Sequence, residues 1–406
     1  MSVLERIEKI KGGITAPRGF SASGVIAGIK PRNTTKKDVA IIFSEQLAVA
    51  AGTFTTNQVK AAPVRVSQRN IKCGEAYAII ANSGNANACT GVQGVHDAQA
   101  MVQAVAEELG AKEHQILVCS TGRIGVPLPM PKMIRGIKKA LKKLSPVGSK
   151  GAAEAIMTSD TVRKEFAIRL KINNKRVTIG GIAKGAGMID PNMATMLAFI
   201  TTDVAIDRVT LQRVLSTAVD QSFNSITIDG DMSTNDTVLM LANGLAQNEP
   251  LSREHPELEK FQQALNYLTR KLAHMIVRDG EGVTKFVEVV VRGAGTQRDA
   301  KKAAEAIANS TLVKCSWFGG DANWGRLMDA IGYSGAKVRE EHVDIFYDGI
   351  CLVQNGMRTK IPEPKIKKIV AKDSFTITVN LHLGNGEHTV FTTDLTEAYV
   401  DFNKGE

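Results

Sequence analysis

The chain has little cysteine, few aromatic residues and no long apolar run. Its five cysteines (Cys73, Cys89, Cys119, Cys315 and Cys351) are odd in number and scattered, with no CxxC pair. That argues against a disulfide framework and against a structural zinc site. The seven histidines form no HExxH pattern, so no protein-bound catalytic metal is expected. No apolar stretch approaches the ~20 residues of a membrane span. The opening Met1-Ser2-Val3-Leu4-Glu5-Arg6 has no basic region followed by an apolar core. No signal peptide is expected, and a cytoplasmic location follows. Acidic residues are outnumbered, 41 against 51 basic, for a net charge of +10. Nucleic-acid binding is the first thought for such a chain. The densest basic stretch is Lys132, Arg135, Lys138, Lys139, Lys142 and Lys143, with Met133, Ile134, Ile137, Leu141 and Leu144 on the other helical face. It contains no aromatic side chain on which a base could stack. A solvated helix face explains it better. A positive field of this kind suits small anionic substrates.

What is present is ample. The 406 residues suffice for a sizeable core in two or three domains. Strand and helix patterns alternate throughout. Val39–Ser44, Tyr77–Ala81, Gln115–Ser120 and Lys285–Arg292 read as strands. Asp97–Leu109 reads as a helix capped by its acid and closed by Gly110; Arg208–Phe223, Leu258–Val277 and Arg298–Ala308 read as further helices. Thr376–Leu383 and His388–Thr393 flank Gly384-Asn385-Gly386, a hairpin signal. No repeat or long linker interrupts the chain. A mixed α/β fold (α+β) with antiparallel pairing is expected.

The most informative stretch is Lys184-Gly185-Ala186-Gly187-Met188-Ile189-Asp190-Pro191-Asn192-Met193-Ala194-Thr195-Met196-Leu197. Small residues and a proline lead to Ala194, and Thr195 opens an apolar run to Ile200. This reads either as the start of a buried strand or as a self-cleaving junction, in which glycine permits a strained turn. In the second case the Thr195 hydroxyl attacks the Ala194 carbonyl. Hydrolysis of the ester then frees an amine of pKa roughly 7.7–8.0 on Thr195. That amine can serve as base for its own hydroxyl.

Four other segments are richer in Gly, Asn, Ser and Thr than a plain core needs. Asn82–Gly91 is either an Asx-rich turn or a loop lining a site. Cys119-Ser120-Thr121-Gly122-Arg123 is either a glycine turn or a strand end that presents a hydroxyl and a backbone N–H to an oxyanion. Asp229–Thr237 resembles a calcium loop but has Thr234 where an EF-hand needs Gly and Met240 where it needs Glu. A hydrogen-bonded loop beside the site is expected instead. In Arg278-Asp279-Gly280-Glu281-Gly282, the glycine-flanked Glu281 is either an exposed turn residue or a carboxylate aimed at a ligand amine.

With Thr15–Phe20, Met157-Thr158-Ser159-Asp160-Thr161 and Asp321-Ala322-Asn323-Trp324-Gly325-Arg326, these segments resemble the glutamate N-acetyltransferase (ornithine acetyltransferase) family of arginine biosynthesis, known as ArgJ. The resemblance runs through nearly the whole chain. It implies a DmpA/ArgJ-like layered sandwich of sheets and helices, cut at Ala194–Thr195 into an α chain (1–194) and a β chain (195–406). It implies ping-pong transfer of acetyl from N2-acetyl-L-ornithine to L-glutamate through acetyl-Thr195. By motif position, Thr121 and Gly122 would form the oxyanion hole. Thr158, Lys184, Thr195, Glu281 and Asn403 would bind substrate. Lys184 suits a carboxylate and Glu281 an ammonium. No cofactor is implied, though acetyl-CoA serves some members as an alternative donor. A heterotetramer of two α and two β chains is implied, with no nucleic-acid or membrane partner.

Two departures from the family pattern stand out. The sequence ends at Asn403-Lys404-Gly405-Glu406, where the family usually runs on to Thr or Ser, so either the tail is shortened or the sequence is incomplete. Arg123 stands where a small or apolar residue is usual. Two other readings remain: an N-terminal-threonine amidase or aminopeptidase with water as acceptor, and a basic nucleic-acid-binding protein with salt-dependent binding and no cleavage.

Overall fold

The computed structural model describes residues 7–30, 35–190 and 196–404. The chain forms two compact units: Met1–Gly185, Asn192–Asn224 and Met232–Ile276 make the first, and Ala186–Pro191, Ser225–Asp231 and Val277–Glu406 the second.

The first unit is built on a nine-stranded sheet. Its strands are β1 (Glu8–Ile10), β2 (Phe20–Val25), β3 (Val39–Phe54), β4 (Glu75–Asn85), β5 (Ile116–Arg123), β6 (Lys164–Ile172), β7 (Lys175–Lys184), β8 (Leu197–Thr202) and β9 (Thr237–Ala242). Their order is β1-β6-β7-β8-β9-β3-β4-β5, with β2 on β3. Pairing is antiparallel except for β4–β5 and β8–β9. Strand alternation sorts two cores onto the two faces. Ala40 and Ile42 of β3 join Ile79, Leu117, Phe199 and Leu239 over the helix Ser149–Ile156. Val39 and Ile41 point the other way, onto Met101 and Val105 of the helix Gly91–Leu109 and Met133 and Ile137 of the helix Met130–Leu141. The last helix keeps Lys132, Arg135, Lys138 and Lys139 exposed, the solvated basic face expected from the sequence.

The second unit holds a six-stranded sheet: β10 (Phe286–Ala294), β11 (Asp344–Tyr347), β12 (Ile350–Gln354), β13 (Met357–Arg358), β14 (Ser374–Asn380) and β15 (Gly386–Thr393), in the order β13-β12-β11-β14-β10-β15. Val287, Val289 and Val291 of β10 pack on Ala300, Ala303, Ala304 and Ile307 of the helix Gln297–Asn309. The spacing of those four makes one helical stripe, and the Thr296 hydroxyl caps the helix by accepting from Asp299 N.

The mixed α/β class stands, with two corrections to local expectations. The helix expected from Asp97 starts at Gly91, and Asp97 lies inside it, accepting from Gln93. The expected hairpin is split. β10 lies between β14 and β15, parallel to the first and antiparallel to the second. The connection must cross two strand spacings, about 9.6 Å, which the five residues 381–385 span easily. It is held over the end of β10 by Leu381 N to Arg292 O and Leu383 N to Gly293 O. The Gly384-Asn385-Gly386 pattern marks a turn; the apolar β10 strand takes the place between its arms. Among the described residues no helix is long and apolar enough to cross a membrane.

Candidate active site

In the first unit, strand ends gather the residues that the sequence singles out. Thr121 lies near the end of β5 and is buried. Gly122 follows at φ +129°, and a Cβ there would overlap the Gly84–Asn85 backbone of the parallel β4. Only glycine fits so close an approach. The turn read into Ser120-Thr121-Gly122 is therefore a distorted strand end, and Gly122 itself is exposed.

Lys184 ends β7, 2% exposed. Its ammonium donates to Thr121 Oγ1 at 3.4 Å. Asp160 organises the surroundings. Its Oδ1 accepts from Lys164 Nζ at 2.6 Å and from Gly185 N at 2.8 Å, and its Oδ2 accepts from Thr158 N at 2.9 Å. Burial alone would raise the pKa of Asp160. The Lys184 and Lys164 ammoniums, with these hydrogen bonds, outweigh burial and hold it at about 2. One ionised carboxylate thus fixes the Thr158 backbone and the turn after Lys184, and offsets two buried cations. Thr121, Gly122 and Lys184 are brought together, with Thr158 tied to them through Asp160.

The chain resumes beside them. Leu197 of β8 pairs with Lys184 of β7 and with Thr237 of β9. Met196 N donates to Asp236 Oδ1 at 2.9 Å. Ala194 and Thr195 lie outside the described residues, so Met196 is the nearest described neighbour of the expected nucleophile. Asp236 is buried, which pushes its carboxyl well above the usual range; the Met196 hydrogen bond and the Lys184 charge act against this.

In the second unit Glu281 and Asn403 lie together: Asn403 Nδ2 donates to Glu281 Oε2 at 3.2 Å. Glu281 N donates to Ala186 O, and its carboxylate fills the place a Cβ on Gly187 would occupy. The segment leading toward Ala194 is anchored there. Met188 N and Ile189 N donate to the two oxygens of Asp229, which also accepts from the Tyr399 hydroxyl at 3.1 Å. Met188 takes φ +56°. Asp190 is raised to about 6 by burial, opposed by Asn309, with Glu305, Asp229 and Asp231 adding to the rise. Arg123 is exposed, and its carbonyl accepts from Ala86 N.

The sequence named the 157–161 and 229–237 segments without assigning Asp160, Lys164, Asn235 or Asp236 a part. The four-residue spacing of Asp160 and Lys164 gave no signal for their ion pair, because the stretch between them is a bend and not a helix. Asn235 and Asp236 gave none, because their partners lie far off in the sequence.

Comparison with known proteins gives the family. The ArgJ family model matches residues 21–405. The arginine biosynthesis bifunctional protein ArgJ of Symbiobacterium thermophilum is 49% identical over 397 residues, 98% of this chain and 99% of the relative. That of Geobacter sulfurreducens is 49% identical over 387 residues, 95% and 98% respectively. The crystal structure of arginine biosynthesis bifunctional protein ArgJ from Bacillus halodurans is 44% identical, covering 51% of this chain and 97% of that chain with a TM-score of 0.49. With a family match over nearly its full length, the chain belongs to the ArgJ family.

Proposed function

We propose that this enzyme moves the acetyl group of N2-acetyl-L-ornithine to L-glutamate through acetyl-Thr195, after cutting itself between Ala194 and Thr195. The observation that carries the reading is the meeting of Lys184 and Thr121 at the strand ends where β8 begins, paired to Lys184 at Leu197.

The chemistry runs in two halves. The Thr195 amine takes the proton of its own hydroxyl, and Oγ bonds to the acetyl carbon. Thr121 and Gly122 stabilise the oxyanion. The carbon–nitrogen bond breaks, and ornithine leaves with the proton. The glutamate amine then attacks the ester and restores Thr195. An amide is exchanged for an amide, so the cycle needs no ATP and no bound cofactor. Lys184 takes a substrate carboxylate, Thr158 a polar group, and Glu281 with Asn403 the substrate ammonium. Acetyl-CoA could load the same threonine, and the bifunctional designation of the relatives supports including it.

The α chain (1–194) and β chain (195–406) would stay together, because β8 lies between β7 and β9 in one sheet. We assign the assembly as two α and two β chains, and the location as cytoplasmic. Intact mass under denaturing conditions tests the core of this. Two chains, the second beginning at Thr195, are expected, with Thr195→Ala leaving one inactive chain and Thr195→Ser still cut. A single full-length chain in active protein would return Thr195 to the role of a strand residue. Release of acetate without glutamate would favour the amidase reading.

A further inference from the structure

Two consecutive residues before β9 reach in different directions, and the reaction assigned above leaves both unexplained. Asn235 Nδ2 donates to Ser120 O at 2.8 Å and to Ala86 O at 2.7 Å. Its Oδ1 accepts from the Thr234 hydroxyl at 2.6 Å. Every polar atom of this buried amide is engaged, so its orientation is fixed. The Ser120 carbonyl belongs to the peptide whose N–H is that of Thr121. Asn235 therefore holds the plane of the peptide that opens the Thr121-Gly122 pair.

The next residue holds the other partner. Asp236 Oδ1 accepts from Met196 N, and Thr237 N donates to Met196 O at 3.1 Å. The Met196 N–H belongs to the peptide whose carbonyl carbon is that of Thr195. Asp236 Oδ2 is buried with no hydrogen-bond partner among the described residues. The neighbouring Thr55 hydroxyl donates to Ser233 O.

We infer that Asn235 and Asp236 are positioning residues that hold the Thr121 peptide and the Met196 N–H, next in sequence to Thr195, in one rigid frame, so that the oxyanion donors and the start of β8 keep a fixed relation. The inference rests on Thr195 being the nucleophile. Burial supports it, because it favours the neutral form of Asp236. A neutral carboxyl keeps an accepting oxygen for Met196 N–H.

The test compares Asn235→Asp, Asn235→Ala, Asp236→Asn and Asp236→Ala with Thr195→Ala. Acetyl transfer is normalised to cleaved chain counted by mass, and folding is followed by circular dichroism. Asn235→Asp keeps the volume but turns an oxygen on two carbonyls. It is expected to lower kcat about 100-fold, the scale of losing an oxyanion donor, with KM within about twofold. Asp236→Ala is expected to lose at least about tenfold more than Asp236→Asn, which keeps the accepting oxygen. If a variant stays uncut, its self-cleavage rate is read instead, in the same order. Full kcat per cleaved site in Asn235→Asp and Asn235→Ala, or equal loss in the two Asp236 variants, overturns the inference while leaving the nucleophile in place. Cleavage and transfer by Thr195→Ala would overturn the nucleophile reading, and this inference with it.

Discussion

Replacing Asp160 by asparagine removes one negative charge from a site where three groups depend on it. Asp160 and Lys164 are paired with their side chains fully buried. Two routes give the cost. The first is linkage: a fall from 3.8 to about 2 at ~1.4 kcal/mol per unit amounts to roughly 2–3 kcal/mol at neutral pH. The second is direct: removing one partner of a buried ion pair strands the other and costs about 3–5 kcal/mol. The second decides, because linkage counts only the proton that Asp160 binds, whereas the substitution also takes a counter-charge from the buried Lys164. In a chain of this size ~1 kcal/mol moves the melting midpoint by about 2 °C. Asp160→Asn should therefore lower the calorimetric midpoint by about 6–10 °C at pH 7. The sign with pH is fixed. A depressed carboxylate pKa contributes stability that is complete above 3.8 and lost as pH falls through about 2, so the gap to the parent should narrow on acidification below pH 4. Asp160→Asn combined with Lys164→Met should recover part of the loss, since it removes the buried charge while an amide oxygen remains to accept from Gly185 N. A midpoint within 1 °C of the parent in Asp160→Asn, or a double variant worse than the single one, would refute the reasoning.

Other expectations follow from the same geometry. Lys184→Ala should raise KM for glutamate at least about tenfold, through loss of a charge-assisted carboxylate contact; steady-state kinetics with an unchanged KM would remove Lys184 from the substrate site. Gly122→Ala places a Cβ in the Gly84–Asn85 backbone at φ +129°. Transfer should fall by more than about 100-fold, and kinetics near those of the parent would mean that the strand end relaxes. Asp190, raised from 3.8 to about 6, contributes stability that is complete below 3.8 and lost as pH rises through 6. Asp190→Asn should flatten the fall in melting midpoint between pH 4 and 6, and an unchanged slope would assign that titration elsewhere. Arg123→Ala should leave the kinetics unchanged, because the side chain is exposed.

Much of this was legible in the chain because the signals were local. The apolar periods of Leu258–Arg278 and Gln297–Asn309 gave both helices to within a residue or two. The 91–96 turns of the Gly91–Leu109 helix were hidden, because Gly91 and Gly94 read as loop. Gly94 is there for space: a Cβ would press on the Thr90 and Asn87 side chains. The split hairpin was illegible for a different reason. A turn motif reports where the chain reverses, and which strand comes to lie between its arms depends on a partner some ninety residues away. The candidate residues of the first unit divide the same way: Thr121 and Lys184 sit in motifs dense enough to be seen, while Asn235 and Asp236 act on partners 115 and 40 residues distant.

The way the chain is held around Ala194 bears on why cleavage there need not unravel the protein. Upstream, Met188 N and Ile189 N are gripped by Asp229, and Ala186 O by Glu281 N. Downstream, Met196 N is gripped by Asp236, and all six residues of β8 are buried between β7 and β9. None of these bonds involves the Ala194–Thr195 peptide, so breaking it removes none of them. Such a cut turns one chain into two, so what is lost is the covalent tether that keeps them at high effective concentration, and the buried contacts of β8 must hold them together instead. Weakening the downstream grip should act on the cut chain more than on the uncut one. Asp236→Ala placed on Thr195→Ala, which cannot cut, should lower the midpoint less than Asp236→Ala alone in protein that has cut. Equal shifts in the two backgrounds would show that the Met196 hydrogen bond has no part in holding the new terminus.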